Sequence, residues 1–239
     1  MKSGRTEEAI TMLNQVMKET NALEAIDIDF IVGNLGLNYK FKASTDKPFM
    51  VYANDFDTNG TNDVFLAKYY KDNIVPIRGK ECSTEQLPGL QSKFKTYNDF
   101  AYADINQIIG RNITDALKYE AHIFETILLK NDNGNLSVEP LPIEAQFSTV
   151  NGIIVHDFDA DGLNDILLAG NKFDVEIETT PADASPGYLF SGQTDSHFEA
   201  VNPWESGFSV PENVKDIQLI KMKSNSNVGV LVAVNNGKL

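Results

Sequence analysis

Two nine-residue stretches limit what this chain can fold into more than any other feature. Residues 55–63 read DFDTNGTND and residues 157–165 read DFDADGLND. Each sets several carboxylates and one glycine directly before an apolar run, VFLA or ILLA. Like charges at this density repel one another unless a cation compensates them. An isolated acidic turn needs no metal. Two matching stretches, each followed by the same kind of strand-forming run, favour a metal at both.

Counted from the first Asp, Asp55, Asp57, Asn59, Thr61 and Asp63 stand at positions 1, 3, 5, 7 and 9. Asp157, Asp159, Asp161, Leu163 and Asp165 stand at the same positions in the second loop. Alternate side-chain oxygens can wrap one hard cation. Gly60 and Gly162 at position 6 permit the tight bend that turns the carbonyl of Thr61 or Leu163 inward. Phe56 and Phe158 at position 2 are free to point into a core. All the candidate ligands are oxygens, and no Cys or His stands at metal-binding spacing. The set therefore excludes zinc and copper, and its number and flexibility suit calcium better than magnesium. Two calcium sites are expected, the first weaker because Asn59 is neutral. An EF-hand is excluded, since it needs a bidentate Glu at position 12 and helices on both sides. Position 12 is Leu66 or Leu168, and both flanks read as strands.

Composition narrows the partners. The 239 residues carry 34 Asp and Glu against 20 Lys and Arg, a net charge of −14. Nucleic acid and anionic membrane surfaces need basic patches, so neither is an expected partner. The one cysteine, Cys82, precludes an intramolecular disulfide and has no nearby His to activate it. No stretch reaches the roughly 18 apolar residues of a membrane span, and the first residues lack the apolar core of a signal peptide. Residues 1–25 instead read as an amphipathic helix, with Ile10, Leu13, Val16, Met17 and Leu23 at near-helical spacing.

Four segments repeat one pattern, an Asp or Gly, then a short apolar strand, then usually an Asn: DFIVGN from 29, DVFLAK from 63, DILLAG with Asn171 from 165 and GVLVAVN from 229. The last interval suits one four-stranded antiparallel unit. The middle one suits such a unit plus an insertion of about 40 residues. Residues 83–119 supply that insertion as two or three short helices, with Ser83, Thr96 and Asn112 as N-caps. NDNG at 131–134 reads as a hairpin turn joining 122–130 to 135–141. Further strands are expected at 49–53, 73–77, 152–156, 187–191, 197–201, 215–221 and 228–234. The expected fold class is mainly β, with β-propeller-type blades in about four repeat units, a helical insertion and an N-terminal helix. A closed propeller of six or seven blades needs roughly 350 residues or more. A partial or small propeller is therefore expected, as part of a longer chain.

DFDTNGTNDVFLA and DFDADGLNDILLAGN resemble the FG-GAP or VCBS repeat of integrin α-subunit propellers and bacterial surface proteins. Over residues 26–239 the chain is similar to the C-terminal part of large Bacteroidetes VCBS-repeat proteins of the ASPIC and UnbV type. The resemblance implies calcium in propeller blades, held by the ten residues named above. It also implies an extracytoplasmic location (cell surface, outer membrane-associated or periplasmic), and recognition of a glycan or another protein. Neither end of the chain is expected to bind calcium: Asp27 and Asp29 lack a preceding acidic loop, and SNSNVGVLVAVN has none. Two alternatives stand beside this non-catalytic module. One is a propeller-based carbohydrate-active enzyme, for which carboxylates such as Asp99 and Asp104 are candidates although no nucleophile motif is visible. The other is a purely structural segment of a longer surface scaffold. The aromatics Phe94, Tyr97, Phe100 and Tyr102 offer either a binding platform or a helix packing face.

Overall fold

The computed structural model describes residues 28–132, 134–222 and 228–237. The helix expected over 1–25 lies outside them. The described chain is mainly β, made of small antiparallel sheets with short helices. It divides into two compact units. One is Phe41–Phe124; the other is built from described residues on either side of it.

The Phe41–Phe124 unit holds one four-stranded sheet. β2 (Phe49–Asn54), β3 (Asp63–Tyr70) and β4 (Asn73–Pro76) follow one another as a meander, and β5 (Leu117–Ala121) pairs with the free side of β2. Alternation along β3 sends Phe65 and Ala67 inward and Val64 and Lys68 outward, as a half-buried strand requires. Met50, Tyr52, Phe56 and Phe65 meet Leu87, Leu90, Phe94, Phe100, Ile105 and Ile108 in one cluster. These last six come from the helical stretch and the loops joining its helices.

That stretch departs from expectation in number and caps. It holds four short helices: Lys80–Gln86, Leu90–Lys93, Tyr97–Ala101 and Ile105–Ile109, then a 3-10 turn over Arg111–Asp115. Thr96 is an N-cap and forms a reciprocal capping box with Asp99. Asp104 forms another with Gln107, a D-x-x-Q signal the sequence reading passed over. Ser83 is not a cap: it lies inside the first helix, fully buried, and Gly79 precedes that helix. Asn112 falls within the 3-10 turn. Residues 117–119, read as the end of the insertion, belong to β5. The register of β5 on β2, from Ala53↔Leu117 to Phe49↔Ala121, explains why: a sheet edge was available, which local sequence does not reveal.

The other unit contains three sheets. β1 (Phe30–Val32), β6 (Ile127–Asp132) and β7 (Asn135–Pro140) form the first. The hairpin thus turns where NDNG predicts, but its first strand begins at Ile127 rather than 122. β8 (Val150–His156), β9 (Asp165–Gly170), β10 (Tyr188–Gly192) and β11 (Phe198–Val201) form a four-stranded meander. β12 (Val214–Lys221) and β13 (Val228–Val234) form a two-stranded sheet. All of β9 is buried, because it is packed on both faces. Ile166 and Leu168 join Leu128, Leu141 and Phe190 on one side, while Leu167 and Ala169 join Val214 and Ile217 on the other. This double burial is why DILLAG reads as a continuous apolar run rather than an alternation. Each fully buried side chain of the size of Phe190 contributes about 1.5–3 kcal/mol.

Candidate metal centre

Both acidic loops are hairpin connections between paired strands. Asn54 at the end of β2 lies opposite Asp63 at the start of β3, and His156 at the end of β8 lies opposite Asp165 at the start of β9. The strand flanks dispose of the EF-hand geometry. Position 2 acts as an anchor in each loop. Phe56 is buried edge-on against Phe65 at 5.9 Å, and Phe158 packs with the cluster around Ile154 and Leu167.

The two loops share one backbone course. Gly60 and Gly162 adopt φ of +89° and +92°, the left-handed region in which a side chain is strained. Thr58 and Ala160, at position 4, also take positive φ, 61° and 64°. Nothing in the sequence marks these two residues, since neither Thr nor Ala favours that region. The course is held by carboxylate and carboxamide oxygens that accept from backbone amides. Asp55 Oδ2 accepts from Gly60 N–H at 2.7 Å, and Asp157 Oδ2 from Gly162 N–H at 3.1 Å. Asn59 Oδ1 accepts from Thr61 N–H and Asp161 Oδ1 from Leu163 N–H, at 2.8 and 2.7 Å. Asp63 and Asp165 accept from Phe56 and Phe158 N–H at 3.1 and 2.8 Å, closing each loop.

Each loop gathers three carboxylates. Oxygens of Asp55, Asp57 and Asp63 lie within 4.8 Å of one another, and so do those of Asp157, Asp159 and Asp165. Burial is graded in both triads: the position-9 aspartate is buried, position 1 half-buried and position 3 exposed. Asp161 is not part of the second triad. Burial pushes the Asp63 carboxyl above the usual carboxylate range, opposed by the Phe56 amide and reinforced by Asp57 and Asp55.

The donor chemistry fits a hard cation. Asp157 Oδ1 is buried and has no hydrogen-bond partner, beside two other carboxylates. A buried anionic oxygen left without a donor is costly, and a cation is the group that would satisfy it. Asp55, Asp57 and Asp63, and Asp157, Asp159 and Asp165, would hold the ions. Each ion would supply charge compensation and tie the two strands flanking its loop.

In the second loop the position-9 aspartate, Asp165, has a further duty that local sequence does not signal. Asp165 Oδ1 accepts from Gly192 N–H at 2.9 Å, bridging β9 to β10. Asp29 does the same in the first sheet, accepting from Asn131 N–H at 2.9 Å. The aspartates before β1 and at the head of β9 thus each clamp a neighbouring strand, and no acidic loop precedes the first of them. His156 is the last residue of β8, with its ring edge-on to Phe158 at 5.1 Å. Asp99 and Asp104 are occupied as helix caps. Phe94 and Phe100 pack edge-on in the core at 5.5 Å, whereas Tyr97 and Tyr102 are exposed.

Fold and site together define a mainly-β protein of small antiparallel sheets carrying two acidic triads that could each hold a metal ion such as calcium. Protein-family models, curated proteins and solved structures were each compared with the chain, and none matches it. Among the described residues no helix is long and apolar enough to cross a membrane.

Proposed function

We propose that this chain is a calcium-stabilised, non-catalytic binding module built of FG-GAP/VCBS-type blades. The observation that carries this reading is the unpartnered Asp157 Oδ1 within a three-carboxylate cluster. The cluster's counterpart, Asp55–Asp57–Asp63, recurs on a loop of the same backbone course. Calcium closes each loop, and its binding free energy adds to folding stability by linkage. The module works outside the cytoplasm, at a bacterial surface, where millimolar calcium keeps sites of modest affinity filled. Its partner is a glycan or a protein. The capping roles of Asp99 and Asp104 weigh against the alternative of a glycan-active enzyme using that pair.

Titration calorimetry with calcium and with magnesium tests the reading. Two calcium sites are expected, the 157–165 site tighter than the 55–63 site, with magnesium weaker at both. Asp159→Asn removes an exposed carboxylate without touching the core, so it weakens the tighter site about tenfold while leaving the chelator-treated protein's melting temperature unchanged. A protein that melts identically in calcium and in chelator would sink the proposal.

A further inference from the structure

The β1–β6–β7 sheet and the β8–β11 sheet meet across one apolar cluster, which takes Leu128 from the first and Ile166, Leu168 and Phe190 from the second. Pairing sets Glu139 directly opposite Leu128 and Ala200 directly opposite Phe190. Residues opposite one another share a face, so Glu139 and Ala200 lie on the cluster side of their strands. The cluster does not fill the space between the outer strands β7 and β11. A groove of about 390 Å³ remains there, lined by Leu128, Glu139, Leu141, Glu144, Phe198 and Ala200 among others. That volume lies in the range of small-ligand sites, roughly 300–1,000 Å³. Leu128 and Leu141 are nearly fully buried and form its floor, while Phe198 and Ala200 are half-buried. Pro140 and Pro142 stiffen one wall.

The charge of the groove has one sign. Apart from His197, every titratable side chain that lines it is a glutamate: Glu139, Glu144 and Glu199. Glu139 is compensated by Lys130, whose Nζ lies 2.8 Å away. Glu144 is half-buried and has no cationic partner among the described residues. It also lines a small void behind the groove, together with Tyr188 and Phe190. Burial first, and the charge of Glu144 second, push the Tyr188 hydroxyl above its ordinary value, so this neighbour stays neutral. A half-buried carboxylate beside apolar surface is costly without a compensating charge. A metal ion is not the fitting one: among the described residues only the two aspartate triads bring three acidic groups within 4.8 Å.

We infer that this groove binds a small organic cation, a primary amine carried on an apolar body. The apolar body covers Leu128, Leu141, Phe198 and Ala200, and its burial supplies most of the affinity. The ammonium group faces Glu144, which selects the sign of the ligand's charge. An anion of the same shape meets three glutamates and is refused. The groove shares no residue with either aspartate triad, so it stands or falls apart from the function proposed above.

The probe is phenethylamine, titrated into the full isotope-labelled chain and followed through amide NMR shifts. Saturable shifts at Leu128, Leu141, Phe198 and Ala200, with a Kd in the millimolar range, are the expected result. Phenethyl alcohol has the same shape without the charge and should bind about tenfold more weakly. Hydrocinnamate, the corresponding anion, should not bind. Glu144→Gln keeps the size of the side chain and removes its charge. It should weaken the amine about fivefold and leave the alcohol unchanged, with the amide spectrum reporting that the fold is kept. Glu205→Gln, at an exposed glutamate outside the groove, should change neither. Equal affinity for amine and alcohol would overturn the inference, and so would an amine indifferent to Glu144→Gln. Shifts confined to residues 55–63 and 157–165 would assign the amine to the aspartate loops instead, and no saturable shift at all would remove the site.

Discussion

At the scale of single residues, Asp63 shows how a loop can be built against its own charge. It is 5% exposed, and its carboxyl is raised by burial and by Asp57 and Asp55. A raised folded-state value means that the group stabilises the fold fully only below its ordinary value of 3.8. That contribution is lost as pH rises through the folded-state value, so without metal the ionised group opposes folding at neutrality. A cation reverses the balance. Asp63→Asn keeps an oxygen for the Phe56 amide and removes the charge. It should raise the melting temperature in chelator, flatten the chelator melting curve against acid pH, and shrink the gain on adding calcium. Thermal melts at several pH values, with and without calcium, read all three effects. A variant that melts below the wild type in chelator at neutral pH would refute this account of Asp63. Residue-scale reading was strongest at the acidic loops, where side-chain type, spacing and Gly60 or Gly162 all speak locally. It was blind to Thr58 and Ala160, whose positive φ the loop's closure imposes. Asn171 was legible only as the asparagine that closes a repeat; its role was not, for it is fully buried with φ 72° and joins Thr149, Ser185 and Glu212 through backbone partners distant in sequence.

At the scale of elements, strands were legible because burial leaves a period. The expected strands at 49–53, 152–156, 215–221 and 228–234 lie within β2, β8, β12 and β13. Helices in the 80–109 stretch were less so: none exceeds Lys80–Gln86 in length, too short to show a stripe, and their caps carry most of the local signal. Packing between elements makes demands that no local signal announces. A Cβ on Gly170 would stand 1.7 Å from Thr149 O, which is backbone and cannot yield cheaply. Gly170→Ala should therefore destabilise the protein by about 2–3 kcal/mol or more, measured by urea unfolding. Gly79→Ala is the control: its Cβ meets nothing within 4 Å, and as a helix N-cap it should lose no more than about 1 kcal/mol. Equal losses at both positions would show that close approach is not the cause.

At the scale of the whole molecule, the Phe41–Phe124 unit lies in the chain between β1 and β6, two strands that pair directly. It has its own sheet, its own core cluster and one acidic triad. Its ends are brought together by Phe49, whose ring lies 5.0 Å from Phe41 and 5.9 Å from Phe124. A fragment of residues 41–124 should fold by itself, melt cooperatively and bind one calcium ion. Circular dichroism and calorimetry on that fragment test this directly. A fragment that stays unfolded in calcium would show that this core is insufficient alone.

The sequence alone determined what depends on near neighbours: the mainly-β class, the strand runs, the hairpin at NDNG and two clustered sets of carboxylates before apolar strands. Only the tertiary structure decided which strands share a sheet, that 117–121 completes one of them, and that the chain leaves one unit and returns between β1 and β6. It also decided that Asp165 clamps a third strand and which oxygen, Asp157 Oδ1, is left buried without a donor. The physical reason is range. Periodicity and turn chemistry act over a few residues, whereas edge pairing and burial of a single atom depend on partners tens of residues away.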